Sequence, residues 1–256
     1  MKLERINIFW TGGWDSTFRI IQLAEKKVII QPYYLKDNRK SEKLELGTIK
    51  LLTEEILKLK TTKCQINELI SMKVSDVEND NDITNAYNKL KAEFKSISKG
   101  QILGSQYEWL ARFSKNIDNL ELGIEKGSKV IDAINIFGEL QENNCQIRGA
   151  YYSINKANSS KDLINVFGNY HYPLLNFSKL KMKQIAEEKG AIDIMNKTWF
   201  CHRPKNNKPC GSCNPCMQTI DFGLRYRFDK KSLFNYRIKK IKKSLKEIFK
   251  LNMFNL

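Results

Sequence analysis

Ile6-Asn7-Ile8-Phe9-Trp10-Thr11-Gly12-Gly13-Trp14-Asp15-Ser16-Thr17 is the stretch whose reading decides the fold. Apart from Asn7, residues 6–10 are apolar and partly β-branched, as in a buried strand. Two glycines interrupt the run, and helical spacing follows from Ser16 to about Lys26. A strand, a tight glycine turn and a helix form the opening unit of an α/β domain. Gly12 and Gly13 permit torsions and a close approach that a Cβ forbids. The helix start offers unpaired N–H groups and a positive dipole end, and Thr11, Ser16 and Thr17 add hydroxyl donors. Such a turn suits a phosphate or pyrophosphate. It lacks the lysine of a Walker A loop and the third glycine of the dinucleotide fingerprint, which excludes both.

Outward from this turn, strand and helix patterns alternate. Val28–Leu35, Cys64–Leu69, Leu120–Ile124 and Leu163–Phe167 read as strands. Helical stripes fall at Leu44–Ile56, Ile83–Ile97, 105–116 and from Ser128 to about Gln141. Ser178 has the chemistry of an N-cap for a helix closed by Gly190. Residues 145–161 fit neither pattern and read as an insertion or surface excursion. Short crossovers between parallel strands imply right-handed βαβ units, hence a doubly wound parallel sheet. Ligands of such sheets bind beyond the carboxyl ends of the strands, where the Gly-Gly turn falls.

Cys201, Cys210, Cys213 and Cys216 form C-x8-C-x2-C-x2-C near the other end. Three thiolates on tight turns through Gly211 and Pro215, and a fourth from across a loop, suit tetrahedral zinc at about 2.3 Å from each sulfur. Four thiolates also suit an iron–sulfur cluster. A four-thiolate zinc is structural, since no coordination position is left for substrate. His202 adjoins the cage and reads as a loop residue or a replacement ligand. His171 reads as a packed ring or a substrate contact, and Cys64 and Cys145 as buried or incidental thiols.

The chain has 256 residues, with 44 basic and 28 acidic side chains and a net charge of +16. That length allows one sizeable core plus a small appendage. No apolar run spans a bilayer and the first residues do not form a secretory signal, so a cytoplasmic location is expected. The charge invites a nucleic-acid partner. It is densest from Arg227 through Lys230, Lys231, Arg237, Lys239, Lys240, Lys242, Lys243, Lys246 and Lys250. There Phe234, Ile238, Ile241, Leu245 and Ile248 recur at three and four residues. An amphipathic basic helix suits nucleic acid, an acidic partner protein or an anionic membrane, or a docked terminal helix with solvated lysines. The divisions expected are a nucleotide-binding α/β domain over 1–195, a four-cysteine region over 196–226 and the basic helix over 227–256.

The Thr11-Gly12-Gly13-Trp14-Asp15-Ser16 string resembles the S-G-G-x-D-S signature of PP-loop ATP pyrophosphatases, with Thr11 in place of the usual serine. Pro173-Leu174-Leu175, Lys179, Thr198-Trp199-Phe200-Cys201 and the Cys210–Cys216 cluster resemble the carboxyl half of the 7-cyano-7-deazaguanine synthase family. Phe200 stands where that family has serine. The resemblance implies the adenine nucleotide alpha hydrolase-like fold, ATP and Mg2+ as reaction partners, a zinc cage, and a homodimer. Gly12, Gly13, Asp15 and Ser16 would hold the ATP phosphates, and Lys179 would touch them or be a solvated helix-start lysine. The implied reaction adenylates a deazaguanine-like carboxylate, and ammonia then displaces AMP.

Leu120–Ser128 and Ser105–Trp109 depart from the family's substrate-pocket patterns. They point to a rebuilt pocket, and to another carboxylate or a protein or polymer acceptor. Glu121 is open to two readings, a carboxylate reading a purine-like edge or a solvated charge. Two further functions compete: a tRNA-modifying PP-loop enzyme such as a thiolase, and a non-catalytic nucleotide or nucleic-acid binding protein.

Overall fold

The computed structural model describes residues 3–253, with the side chains of the last helix described through residue 245. Among the described residues eight strands run in chain order: β1 (Glu4–Phe9), β2 (Val28–Lys36), β3 (Gln65–Ile66), β4 (Ile70–Lys73), β5 (Leu120–Glu121), β6 (Leu140–Cys145), β7 (Gly149–Ile154) and β8 (Tyr170–His171). The helices are α1 (Trp14–Ala24), α2 (Glu42–Leu57), α3 (Asn81–Ile97), α4 (Gln106–Ser114), α5 (Lys129–Phe137), α6 (Lys161–Phe167), α7 (Lys179–Glu188), α8 (Ile192–Asn196), α9 (Asn214–Asp221) and α10 (Lys230–Met253).

Six strands form one sheet in the order β3-β2-β1-β5-β8, with β4 continuing the β3 edge along β2. Every pairing in it is parallel, and Ile6 faces Ile30 while Ile8 faces Glu121. Alternation along β1 splits its side chains between two cores. Ile6, Ile8 and Trp10 pack with α1, α2, α7 and α8, whereas Phe9 packs with α3, α4, α5 and α6. Helices therefore cover both faces, and the strand order reverses direction between β1 and β5. The doubly wound parallel α/β sheet expected from sequence is what the structure has.

Several sequence expectations need correction. Residues 163–167 are not a strand but helix α6. Ser160 Oγ accepts from the Leu163 N–H at 3.3 Å, and Leu163, Val166 and Phe167 are buried at helical spacing. The helix from Ser128 stops at Phe137, where Gly138 is extended, so Gln141 lies in a strand. Residues 140–154 form the antiparallel hairpin β6–β7, which the reading of 145–161 as an excursion only half anticipates. The strand at Leu120 is two residues long, the expected 64–69 strand shrinks to Gln65–Ile66, and a further strand, β4, follows it at Ile70–Lys73.

A third, smaller cluster of buried residues surrounds the four cysteines, with Ile220 and Phe228 among them and Leu233 and Tyr236 of α10 against it. Helix α10 is present as the charge pattern predicts. Lys246, Ile248 and Lys250 of that pattern lie outside the residues whose side chains are described. No described helix is long and apolar enough to cross a membrane.

Candidate functional site

The carboxyl end of β1 delivers Thr11 exposed, Gly12 buried and Gly13 half-buried. Gly12 has φ +67, and a Cβ there would meet Thr48 at 3.2 Å and Ile49 at 3.3 Å, so a larger residue is strained both by torsion and by α2. Gly13 caps α1 without a side-chain acceptor, which leaves the first-turn N–H groups pointing beyond the strand ends. Gly123, after β5, lies so close that a Cβ would touch the Ser16 nitrogen at 3.4 Å. The turn thus sits in the crevice where strand order reverses, the usual ligand position in such sheets.

Of the residues that the sequence assigns to this turn, Asp15 and Ser16 open α1. Thr17 does not fit the expectation of a phosphate donor. It is fully buried, and its Oγ1 accepts from Trp10 Nε1 at 3.0 Å beneath the turn. Position 17 is one turn into the helix, on the face that packs on the sheet.

Lys179 meets the turn from 164 residues away. Its Nζ donates to the two Asp15 carboxylate oxygens at 2.7 and 2.8 Å and lies 3.3 Å from Glu125. The ammonium is buried, not solvated. Burial alone would pull its pKa down, but Asp15 and Glu125 outweigh that and hold it above the ordinary lysine value. Burial, and then the Asp15 charge, push the Glu125 carboxyl up against the opposing pull of Lys179. Glu125, Lys179, Ser178 and Phe222 border a cavity of about 330 Å³ beside the turn. Sequence reasoning missed Glu125. The available signal was an acidic residue two positions after a glycine, at the carboxyl end of the strand beside β1.

Glu121 is neither a solvated charge nor a free edge reader. It is 0% exposed. Arg19 Nε and Nη2 donate to its two oxygens, both at 2.7 Å. Arg19 Nη2 also donates to the Arg148 carbonyl at 3.0 Å, and Arg148 reaches Glu4 and His171 Nδ1. The His171 ring packs tilted against Tyr151, with centroids 4.2 Å apart. Burial first and Arg148 second lower its pKa to about 4, which makes it a packed neutral ring that anchors the β6–β7 hairpin.

The four cysteines come together as spaced. Their sulfurs all lie within 4.8 Å of one another. Cys210 and Cys216 are 3.9 Å apart, as are Cys213 and Cys201. Bonds of about 2.3 Å to one tetrahedral ion require sulfurs roughly 3.8 Å apart. That spacing fits a single zinc, and the chemistry of the donor set agrees. Backbone N–H groups of Cys210, Ser212 and Cys213 point at thiolate sulfurs at 3.2 to 3.4 Å, which orients them and stabilises negative charge. His202 is outside the group and exposed. Gly211 has φ +75, and a Cβ there would meet the Ser232 carbonyl of α10 at 1.9 Å, so only glycine lets α10 close on the cage.

Cage and turn are in direct contact. The Trp199 N–H donates to the Gly12 carbonyl at 2.8 Å, and Trp199 Nε1 donates to the Cys201 carbonyl at 2.9 Å. The Arg227 guanidinium lies between the Trp14 ring at 5.2 Å and the Phe200 ring at 4.7 Å, and its Nη2 donates to the Asn196 and Thr198 carbonyls. Burial without a carboxylate partner lowers its pKa to about 10.

A family model described as queuosine biosynthesis protein QueC matches residues 152–221. The matched segment contains Lys179 and all four cysteines but not the glycine turn. No curated protein matches the chain. The resemblance to the 7-cyano-7-deazaguanine synthase family therefore stands on the carboxyl half, and it suggests an ATP-using enzyme of that kind.

Proposed function

We propose that this chain is a PP-loop ATP pyrophosphatase that activates a carboxylate or amide by adenylation. The observation that carries this reading is Lys179, drawn from the matched segment into an ion triad with Asp15 at the uncapped start of α1. A cationic side chain and free helix N–H groups at one point suit the charge that builds on departing pyrophosphate.

The turn through Thr11, Gly12, Gly13, Asp15 and Ser16 would hold the ATP phosphates. A carboxylate oxygen of the acceptor attacks the α-phosphorus, the bond to the bridging oxygen of pyrophosphate breaks, and an acyl-adenylate forms. Ammonia then attacks the acyl carbon, AMP leaves, and loss of a proton gives the amide. With a second ATP the amide oxygen attacks the α-phosphorus and displaces pyrophosphate; the nitrogen then loses both protons as that oxygen departs in AMP, and the nitrile results. Mg2+, when bound with ATP, supplies Lewis-acid stabilisation of the phosphate oxygens, and Asp15 is the residue at the turn that would face it. Lys179 released from Asp15 would then be free to meet a phosphate oxygen. Glu125, with its raised pKa, is suited to accept a proton from the ammonia nucleophile.

Zinc in the cage is assigned a structural role, and the divisions at 1–195, 196–226 and 227–256 are kept as nucleotide, metal and basic-helix regions. The acceptor is taken to be a deazaguanine-like carboxylate or a related one on the family resemblance; Glu121, committed to Arg19, furnishes no edge-reading carboxylate for it. A tRNA-thiolating activity fits less well, since burial pushes the Cys64 thiol up to about 11, away from a reactive thiolate. The test is incubation with ATP, Mg2+, 7-carboxy-7-deazaguanine and ammonium, with products followed by mass spectrometry. Amide or nitrile is expected. ATP cleavage without either would move the acceptor to another carboxylate, and no cleavage would favour a binding protein.

A further inference from the structure

Helix α10 uses one face to hold the cysteine cage and leaves the opposite face bare. Leu233 and Tyr236 pack on the cysteine cluster, Asn235 Nδ2 donates to the Cys210 carbonyl at 3.0 Å, and Ser232 Oγ donates to the Pro209 carbonyl. At about 100° per residue these four fall on one side of the helix. Phe234, Ile238, Ile241 and Leu245 fall on the other, within roughly 60° of one another by the same geometry. All four are exposed, Phe234 by 61% and Ile241 by 60%. Their spacing is four, three and four residues, the repeat of a two-helix seam, and the stripe is about 16 Å long at 1.5 Å per residue.

Charge borders the stripe on both sides. Lys230 and Arg237 flank one edge and Lys231 and Lys242 the other, and no acidic residue occurs between Lys230 and Leu245. We propose that this face of α10 is a docking seam for an acidic amphipathic helix of another protein, with apolar residues on the seam and glutamates beside it. Three alternatives fit the same surface less well. A second copy would bring Lys230, Arg237 and Lys242 against themselves in a chain already at +16. A nucleic acid would use the cations and leave four large apolar side chains in water. An interfacial membrane helix needs a broader apolar face than a stripe of this width.

The test uses the whole chain with a labelled helical heptad peptide that carries leucine and isoleucine on the seam and glutamate at the flanks. A twin peptide with lysine at the flanks is the control. Fluorescence anisotropy is expected to show one-to-one binding of the glutamate peptide that weakens as salt rises, with the twin at least tenfold weaker. Ile241→Lys should weaken binding at least tenfold while zinc content and AMP formation stay unchanged. Arg237→Glu combined with Lys242→Glu should reverse the preference towards the lysine twin. Equal binding of the two peptides, or an Ile241→Lys chain that binds as well as the original, overturns the proposal. So does a dimer that Ile241→Lys dissociates, or stronger binding to phosphatidylserine vesicles or duplex RNA that the same substitution abolishes.

Discussion

The main-chain N–H of Trp199 donates to the carbonyl of Gly12 at 2.8 Å, which ties the segment that leads into the cysteine cage to the apex of the glycine turn. Gly12 holds a left-handed torsion, and the Trp199 N–H is a donor that holds its carbonyl. Arg227, between Trp14 and Phe200, makes a second tie. Metal in the cage and nucleotide at the turn should therefore be linked. Stripping the metal with a chelator is expected to weaken ATP binding about tenfold, the scale of a typical coupling energy between sites. Calorimetric titration of ATP into the metal-loaded and stripped chain measures it. Linkage requires ATP to slow zinc loss in turn, and an unchanged affinity would leave the two ties merely structural.

Asp15→Ala should lower AMP formation by at least ~100-fold, in line with loss of a group that acts on developing charge, without unfolding the sheet. Lys179→Met should do more harm to the fold, because it leaves Asp15 and Glu125 facing each other, half-buried and without their cation. A stability loss of about 3–5 kcal/mol in urea is expected, the cost of breaking a buried ion pair. Lys179 is thus both a proposed phosphate contact and the cation that neutralises Asp15 and Glu125.

Glu121→Ala is expected to destabilise by a similar ~3–5 kcal/mol, since it strands the buried Arg19 guanidinium. Urea denaturation checks the magnitude. A stable Glu121→Ala chain with altered acceptor choice would return Glu121 to the substrate pocket.

His171 gives stability a pH dependence of defined sign. Its folded pKa, about 4, lies below the ordinary value of 6.5. The unfolded chain therefore binds the extra proton first as pH falls. The contribution is complete above about 6.5 and is lost as pH drops through the folded pKa. Protonation of Nδ1 also ends its role as acceptor for Arg148. His171→Gln should flatten the fall in the urea midpoint between pH 6.5 and pH 4.5. An identical slope in both chains would mean that other groups carry it.

How far the sequence discloses this depends on the range of each interaction. The β1–turn–α1 unit and the cysteine cage were legible because strand, glycines, helix and thiols are neighbours in the chain. The helix at Leu163 was not, since four apolar residues around Asn165 fit either period and the Ser160 cap decides it. Glu121 and Glu125 look alike in sequence, four residues apart. Only the fold shows that one is paired with Arg19 of α1 and the other faces Lys179 at the crevice. The hairpin at 140–154 is alternating and polar on its exposed side, and its anchor, Arg148, contacts Glu4 from 144 residues away.

The most direct measurement is the identity of the products released from ATP labelled in the α-phosphate, with Mg2+ and a carboxylate acceptor. The account requires AMP and pyrophosphate in equal amounts, lost in Asp15→Ala. ADP with inorganic phosphate would contradict it, because cleavage would then fall at the γ-phosphate and no acyl-adenylate could form.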